Sequence, residues 1–159
     1  MIVVVIKLSF GTMIKSALGL VYHRLTHTFT QGNYDERSKS CYVTGSAAGL
    51  GKAIATRLAK DGFAVVLHDI NEENLNQTKQ DFDSQGYKSI AVQGDSTNRD
   101  DQFRLVQEAV EAFGQVDVFV NNAGVESVEP FMQIQGDEID RVLGINIKGV
   151  IYGTQAAAE

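Results

Sequence analysis

A chain of 159 residues with 43% hydrophobic and 21% charged residues is long enough for one packed domain, too short for two of ordinary size and too apolar to stay disordered. Its formal net charge of −6 argues against a nucleic-acid partner, and a single cysteine, Cys41, excludes an internal disulfide. A reducing, cytoplasmic setting is the expectation.

Residues 1–39 do not share the pattern of the rest and read as an N-terminal extension. Their longest apolar run, Met1 to Ile6, falls far short of the ~20 residues a membrane span needs, so no membrane partner is expected. Lys7 follows the apolar run instead of preceding it, unlike a signal peptide. The segment is free of acid through residue 34 and dotted with Ser and Thr, as transit peptides are, but those 34 residues hold one arginine, Arg24. His23 and His27 stand four apart, as helical metal ligands do. No Glu follows His23 and no third ligand is in view, so no metal is expected.

From Ser40 the chain is punctuated by turn residues. "SCYVTG" reads as a short buried strand, in which Cys41 is a small buried hydrophobe. Leu50–Lys60 reads as a helix ended by Gly62. "FAVVLHD" is a second strand, rich in β-branched residues. Asn71 is placed to cap a polar helix with Leu75, Thr78 and Phe82 on one face and Gly86 at its end. "KSIAVQGD" is a third strand. "TNRD", Thr97 to Asp100, fits a capping box ahead of a helix with Phe103, Val106, Val110 and Phe113 on its apolar face, closed by Gly114. "QVDVFVNNAG" is a fourth strand with its turn, and a last helical pattern begins near Asp137. Strands alternating with helices predict right-handed βαβ units, hence an α/β, doubly wound parallel sheet of Rossmann-like form with about four strands.

The loop "VTGSAAGLGKAIA" between the first strand and first helix ends in a Gly-Lys pair. A hydrolysing phosphate loop needs four residues between its glycine and Gly-Lys, followed by Ser or Thr as magnesium ligand. Here five residues separate Gly45 from Gly51-Lys52, and Ala53 follows. Lys52 therefore reads as a solvated first-turn residue. Gly45, Gly49 and Gly51 instead suit a dinucleotide cradle, in which backbone approaches a pyrophosphate at a helix N-terminus. Asp69 ends the second strand, where a carboxylate can accept from ribose hydroxyls and repel a 2′-phosphate, which favours NAD over NADP. Asp95 ends the third strand at the same edge. Each Asp also suits a plain turn.

With "TGSAAGLG" and "NNAG" in this order and spacing, the sequence from Ser40 onward resembles the short-chain dehydrogenase/reductase family. The resemblance implies that Gly45, Ser46, Gly49, Leu50 and Gly51 hold the cofactor pyrophosphate, Asp69 selects NAD, and Asp95 meets the adenine amino group. It further implies that Asn122, Ala123 and Gly124 line the cofactor site and that Asn146, in "GINIKG", is the catalytic Asn that holds a water in the proton relay. "DGFAVVLHDINEENLN" and "FGQVDVFVNNAGVE" are most similar to the branch of the family that reduces diacetyl and acetoin, so a small carbonyl or alcohol substrate is implied, as is assembly into homo-oligomers through the helix containing Asn146.

The family's general acid or base is a Tyr whose pKa is lowered by a Lys four residues later. Tyr22, Tyr34, Tyr42, Tyr87 and Tyr152 are followed at that spacing by Thr26, Ser38, Ser46, Ala91 and Ala156. The chain reads as the front part of a dehydrogenase, inactive alone, with its fourth strand expected to present an unpaired edge. A non-catalytic dinucleotide-binding remnant or an unstable fragment are the alternatives, and the extension reads as an upstream addition from a misplaced start.

Overall fold

The computed structural model describes the backbone of residues 3–6 and all of residues 39–159. The expectations placed on His23, His27 and the basic segment lie outside the described residues. Four parallel strands, β2 (Ser40–Thr44), β3 (Ala64–Asp69), β4 (Ser89–Gln93) and β5 (Val118–Asn121), form the sheet in the order β5-β2-β3-β4. A further strand, β1 (Val3–Ile6), pairs antiparallel with the outer side of β5. The expected unpaired edge on β5 is therefore covered: the apolar run that opens the chain supplies a fifth strand.

The period-2 pattern of the strands decides which helices cover each face. Cys41, Val43, Val65, Leu67 and Val120 point to one side, beneath α1 (Gly49–Lys60) and α2 (Glu72–Ser84), where Ala55, Leu75 and Phe82 are buried. Tyr42, Val66, Val92 and Phe119 point to the other, beneath α3 (Arg99–Phe113) and α5 (Val150–Ala158). The Tyr42 and Phe119 rings stack at 4.7 Å in that second layer. Full burial of a residue such as Phe119 contributes about 1.5–3 kcal/mol. Burial also pushes the Cys41 thiol up to about 12, so it behaves as a packed hydrophobe.

Asn71 caps α2 as its position predicts, its Oδ1 accepting from Asn74 N at 2.9 Å. The capping box at Thr97 is corrected: Asn98 caps α3, accepting from Asp101 N at 3.2 Å. Thr97 N instead donates to Asp95 Oδ1, closing the turn ahead of the helix. The buried face of α3 is accordingly Gln102, Leu105, Val106 and Ala109, and Val110 is exposed. Gly62, Gly86 and Gly114 follow α1, α2 and α3 with positive φ.

The last helix is interrupted. α4 (Gly136–Leu143) passes into a π-helical stretch, Gly144–Gly149, before α5 begins. Close packing accompanies the interruption: a Cβ on Gly149 would lie 3.1 Å from the Ser96 carbonyl oxygen, and one on Gly153 would overlap the Asn121 side chain and the Phe119 ring. Asn146 lies within this stretch, the helical irregularity most often associated with functional sites. Among the described residues, no helix is long and apolar enough to cross a membrane and no three His, Cys, Asp or Glu cluster as metal ligands do.

Candidate functional site

The strand order reverses direction between β2 and β5, and ligands of open α/β sheets bind outside the carboxyl ends of the strands at such a switch point. Two loops meet there: the glycine loop from Gly45 to Gly51, and the turn from Asn122 to Gly124 that follows β5. Gly45 adopts φ +64° and Gly49 φ +52°, the left-handed region that favours glycine. A Cβ on Gly45 would sit 2.9 Å from the Ala123 backbone. One on Gly51 would strike the Gly45 carbonyl. Gly51 thus lets α1 close onto the loop, and Gly45 lets the loop close onto the second turn.

Thr44, at the end of β2, joins the two loops from below. Its hydroxyl accepts from Asn122 N and Ala123 N, each at 2.9 Å, and lies 3.3 Å from the Val120 carbonyl as donor. Asn122 returns the contact, its Nδ2 donating to the Thr44 and Gly45 carbonyls at 2.9 and 3.2 Å. Sequence reading passed over Thr44, although a hydroxyl at the end of a buried strand, one residue before a glycine turn, is the signal that could have found it. Thr44→Val should leave two backbone donors without their acceptor and cost about 2 kcal/mol, while Thr44→Ser keeps the bonds and costs less than half of that, as read by urea unfolding.

Ser46 and Asp69 attach the glycine loop to β3. Ser46 is buried, its backbone N donating to the His68 carbonyl at 2.9 Å and its hydroxyl accepting from His68 N at 2.8 Å, so it supports the loop from beneath. The Asp69 carboxylate accepts from Ala47 N at 3.2 Å and Asn71 N at 3.0 Å. Two of its roughly four lone-pair positions remain for further donors. From α2, Thr78 donates to the Ala47 carbonyl at 2.8 Å, a second loop anchor not predicted as such. Asp95 lies two residues beyond the end of β4, where it accepts from Thr97 N at 2.8 Å and its own N donates to Asp101 Oδ2.

Helix α1 has no side-chain cap and no acid in its first turn. By contrast α2 begins with Asn71, Glu72 and Glu73, α3 with Asn98, Asp100 and Asp101, and α4 with Asp137 and Glu138. The orphan N–H donors and positive dipole end of α1 are therefore left for an anion, with Gly49 and exposed Leu50 at the rim. Lys52 does not reach over the loop; it pairs with Asp81 of α2 at 2.7 Å.

On the other side of the switch point, Asn146 is bound to the turn. Its Oδ1 accepts from Val125 N at 2.9 Å and its Nδ2 donates to the Val125 carbonyl at 2.7 Å. Asn122, Ala123, Gly124, Val125, Glu126, Asn146 and Ile147 line an open crevice of about 500 Å³. Asn121, just below, donates to Thr154 of α5 at 3.3 Å, tying the same turn to the helix. The glycine loop, Asp69 and Asp95 stand at one part of the carboxyl edge, and the crevice with Asn146 at another.

Fold and site together define the class: a doubly wound α/β nucleotide-type fold with its loops gathered at the topological switch point. Residues 39–159 match the family model for short chain dehydrogenase, and the chain belongs to that family. It is 50% identical over 121 residues to a diacetyl reductase, (S)-acetoin forming, of Staphylococcus epidermidis, a match covering 76% of this chain and 47% of the relative. Among solved structures, a short chain dehydrogenase/reductase from Burkholderia phymatum in complex with NAD is similar at TM-score 0.72 and 30% identity, over 79% of this chain and 45% of that one. A blue fluorescent protein from a metagenomic library in complex with NADPH is similar at TM-score 0.70 and 30% identity, over 79% and 52%. The chain spans about half the length of the relatives it matches.

Proposed function

We propose that this chain is the cofactor-binding portion of an NAD-dependent oxidoreductase that moves a hydride to or from a small carbonyl or alcohol such as diacetyl, acetoin or butanediol. The observation that carries the cofactor reading is the Asp69 carboxylate, bonded to Ala47 N of the glycine loop beside the uncapped, acid-free start of α1. Gly45 and Gly51 let the loop close onto the Asn122–Gly124 turn and onto α1, and Gly49, whose Cβ would meet nothing within 4 Å, leaves the rim open, which suits a pyrophosphate lying against the loop. A carboxylate at Asp69 with no Lys or Arg between Phe63 and Thr78 favours ribose hydroxyls over a 2′-phosphate. Asp95 is assigned to the adenine end. The substrate reading rests on the 50% identity to the Staphylococcus reductase.

When bound, the dinucleotide supplies the hydride donor or acceptor. Asn122, Ala123 and Gly124 line its site, and Asn146 is assigned to holding a water of the proton relay. Two hydrogen-bonding positions of its amide are used on Val125, which orients the group and leaves one N–H and one lone pair for that water. The 159 residues contain no Tyr followed four later by Lys, which favours binding without turnover by this chain alone. Residues 40–159 are assigned to the family portion and 1–39 to an extension that adds β1. Exposed Ile139, Leu143, Ile147 and Ile151, four apart along the last helix, suit a homo-oligomer contact. The cytoplasm is the compartment proposed.

NAD at a hundredfold excess over its Kd should stabilise the chain by about 2.7 kcal/mol, seen as a rise in Tm. NADP should do less, and Asp69→Ala should weaken the NAD response and narrow its lead over NADP. An NAD response unchanged in Asp69→Ala would remove that residue from the site. NADH with diacetyl or acetoin should show no loss of absorbance, and turnover by the purified 159-residue chain would refute the binding-only reading.

A further inference from the structure

We infer that Thr78, on the buried face of α2, is a positioning residue for the dinucleotide, an inference that rests on the cofactor reading proposed above. Its hydroxyl fixes the Ala47–Ala48 peptide, and through it the seating of the Asp69 carboxylate and the aim of the Ala48 N–H. A threonine inside a helix commonly turns its hydroxyl back to the carbonyl four residues earlier, as Thr56 of α1 does to Lys52 at 2.8 Å. Thr78 does not. It donates across to the Ala47 carbonyl, also at 2.8 Å. Both residues are buried, Thr78 with 1% exposure, so solvent is not at hand to replace the hydroxyl.

Ala47 is held at both ends, its N–H by Asp69 Oδ2 at 3.2 Å and its carbonyl by Thr78. The bond to Asp69 is the longer, so Thr78 keeps Ala47 in place when the carboxylate turns to a ligand. The Ala47–Ala48 peptide is trans, and in a trans peptide the carbonyl and the following N–H point to opposite sides. With the carbonyl drawn toward α2, the Ala48 N–H points away from it. Ala48 is exposed and its N–H has no partner among the described residues, so it joins the free donors at the uncapped start of α1. Helix α2 is itself held firmly enough to aim that peptide. Leu75 and Phe82, about one turn to either side of Thr78, are buried in the core, and Asp81 pairs with Lys52 of α1.

Equilibrium binding of NAD to the full chain, measured on folded protein well below Tm, tests the role. Thr78→Val keeps the shape and loses the donor, and its Kd for NAD should rise by about tenfold. Thr78→Ser returns the donor and should bind within about twofold of wild type. Phe82→Leu, on the same buried face with no hydrogen bond to the loop, should lose stability and keep the wild-type Kd. In amide NMR spectra of the wild type, NAD should move the Ala48 resonance. An unchanged Kd in Thr78→Val, an equal rise in Phe82→Leu, or an Ala48 resonance that stays put on binding overturns the positioning role and leaves the cofactor reading standing. Failure of the wild type to bind NAD overturns that reading, and the role of Thr78 falls with it. Should Thr78→Val not fold, Thr78→Cys, a weak donor of similar size, takes its place: a loss of about threefold is expected, and no loss overturns the role.

Discussion

Replacing Gly51 by Ala is expected to lower Tm by about 10 °C and to abolish stabilisation by NAD, whereas Gly49→Ala should cost only a few degrees. A Cβ at Gly51 meets the Gly45 carbonyl oxygen, its carbon at 2.8 Å and the Asn122 Nδ2 at 2.5 Å. None of these atoms can withdraw. Gly45 is the tight turn of the loop, itself too close to Ala123 to shift that way, and Asn122 Nδ2 is engaged by the Thr44 and Gly45 carbonyls. Such overpacking costs about 1–3 kcal/mol or more, and here the relief has to come from moving α1 off the loop. At Gly49, also glycine and also at the rim, an added Cβ meets nothing within 4 Å. The penalty there is the left-handed backbone alone, about 1 kcal/mol. Thermal melts of both variants with and without NAD check the contrast, and equal losses would mean that close approach of α1 to the loop is not what Gly51 provides.

That contrast is invisible in the sequence, where both glycines read as members of one motif. What the sequence makes legible is what is decided within a few residues. The cap at Asn71, the terminating glycines after α1, α2 and α3, and the buried face Leu75, Thr78 and Phe82 depend on local hydrogen bonds and on the 3.6-residue period. The parallel order of β2 to β5 follows from the alternation of strands and helices. Where two local solutions compete, local reading fails: Thr97 and Asn98 can each cap α3, and Asp95 decides the matter by accepting Thr97 N. The apolar face of α3 then follows from buried Gln102, a polar residue that a hydrophobic count leaves out.

The parts of the site that sequence did not reveal are tertiary. Asp69 reads as a ligand carboxylate, yet half of its capacity goes to Ala47 N and Asn71 N, so the turn-former reading is met and the other half is left for the proposed ligand. Asn146 reads as a polar helix residue, and its engagement with Val125 depends on a π-helical stretch and on the close packing at Gly149 and Gly153, which no residue type announces. Ser46 reads as part of a cofactor loop, but its hydroxyl is committed to the β3 backbone. β1 was missed because a six-residue apolar run at a chain end gives no sign of which edge will accept it.

Acid should destabilise the protein well before its carboxylates titrate, with His68 responsible. The imidazole is buried beneath α3, tilted against the Tyr42 ring at 5.7 Å. Nε2 lies 3.1 Å from the Gly94 carbonyl, which an Nε2–H satisfies, and Nδ1 has no partner among the described residues. Protonating Nδ1 would therefore bury a charged N–H without an acceptor. Burial pulls the His68 pKa down to about 4, and the carboxylates of Asp69, Asp101 and Asp95, with the Gly94 carbonyl, offset this only in part. Between pH 6.5 and about 4 the unfolded chain takes up this proton and the folded chain does not, so stability falls as pH falls. The contribution is intact above pH 6.5, amounts to about 3 kcal/mol in all, and is lost by the time pH has dropped through about 4. Some 2 kcal/mol should already be gone at pH 5. The depressed carboxyls of Asp81, Asp101 and Glu138, held down chiefly by Lys52, Arg104 and Arg141, act with the same sign but at still lower pH and from exposed positions. Urea unfolding at several pH values between 7.5 and 4.5 separates the two effects when wild type is compared with His68→Gln, whose amide can still donate to Gly94 but cannot titrate. His23 and His27 are common to both proteins and cancel. The wild-type curve should fall more steeply by about 2 kcal/mol between pH 6.5 and 5 whatever the absolute stability of the variant, and parallel curves would mean that His68 is charged in the folded state.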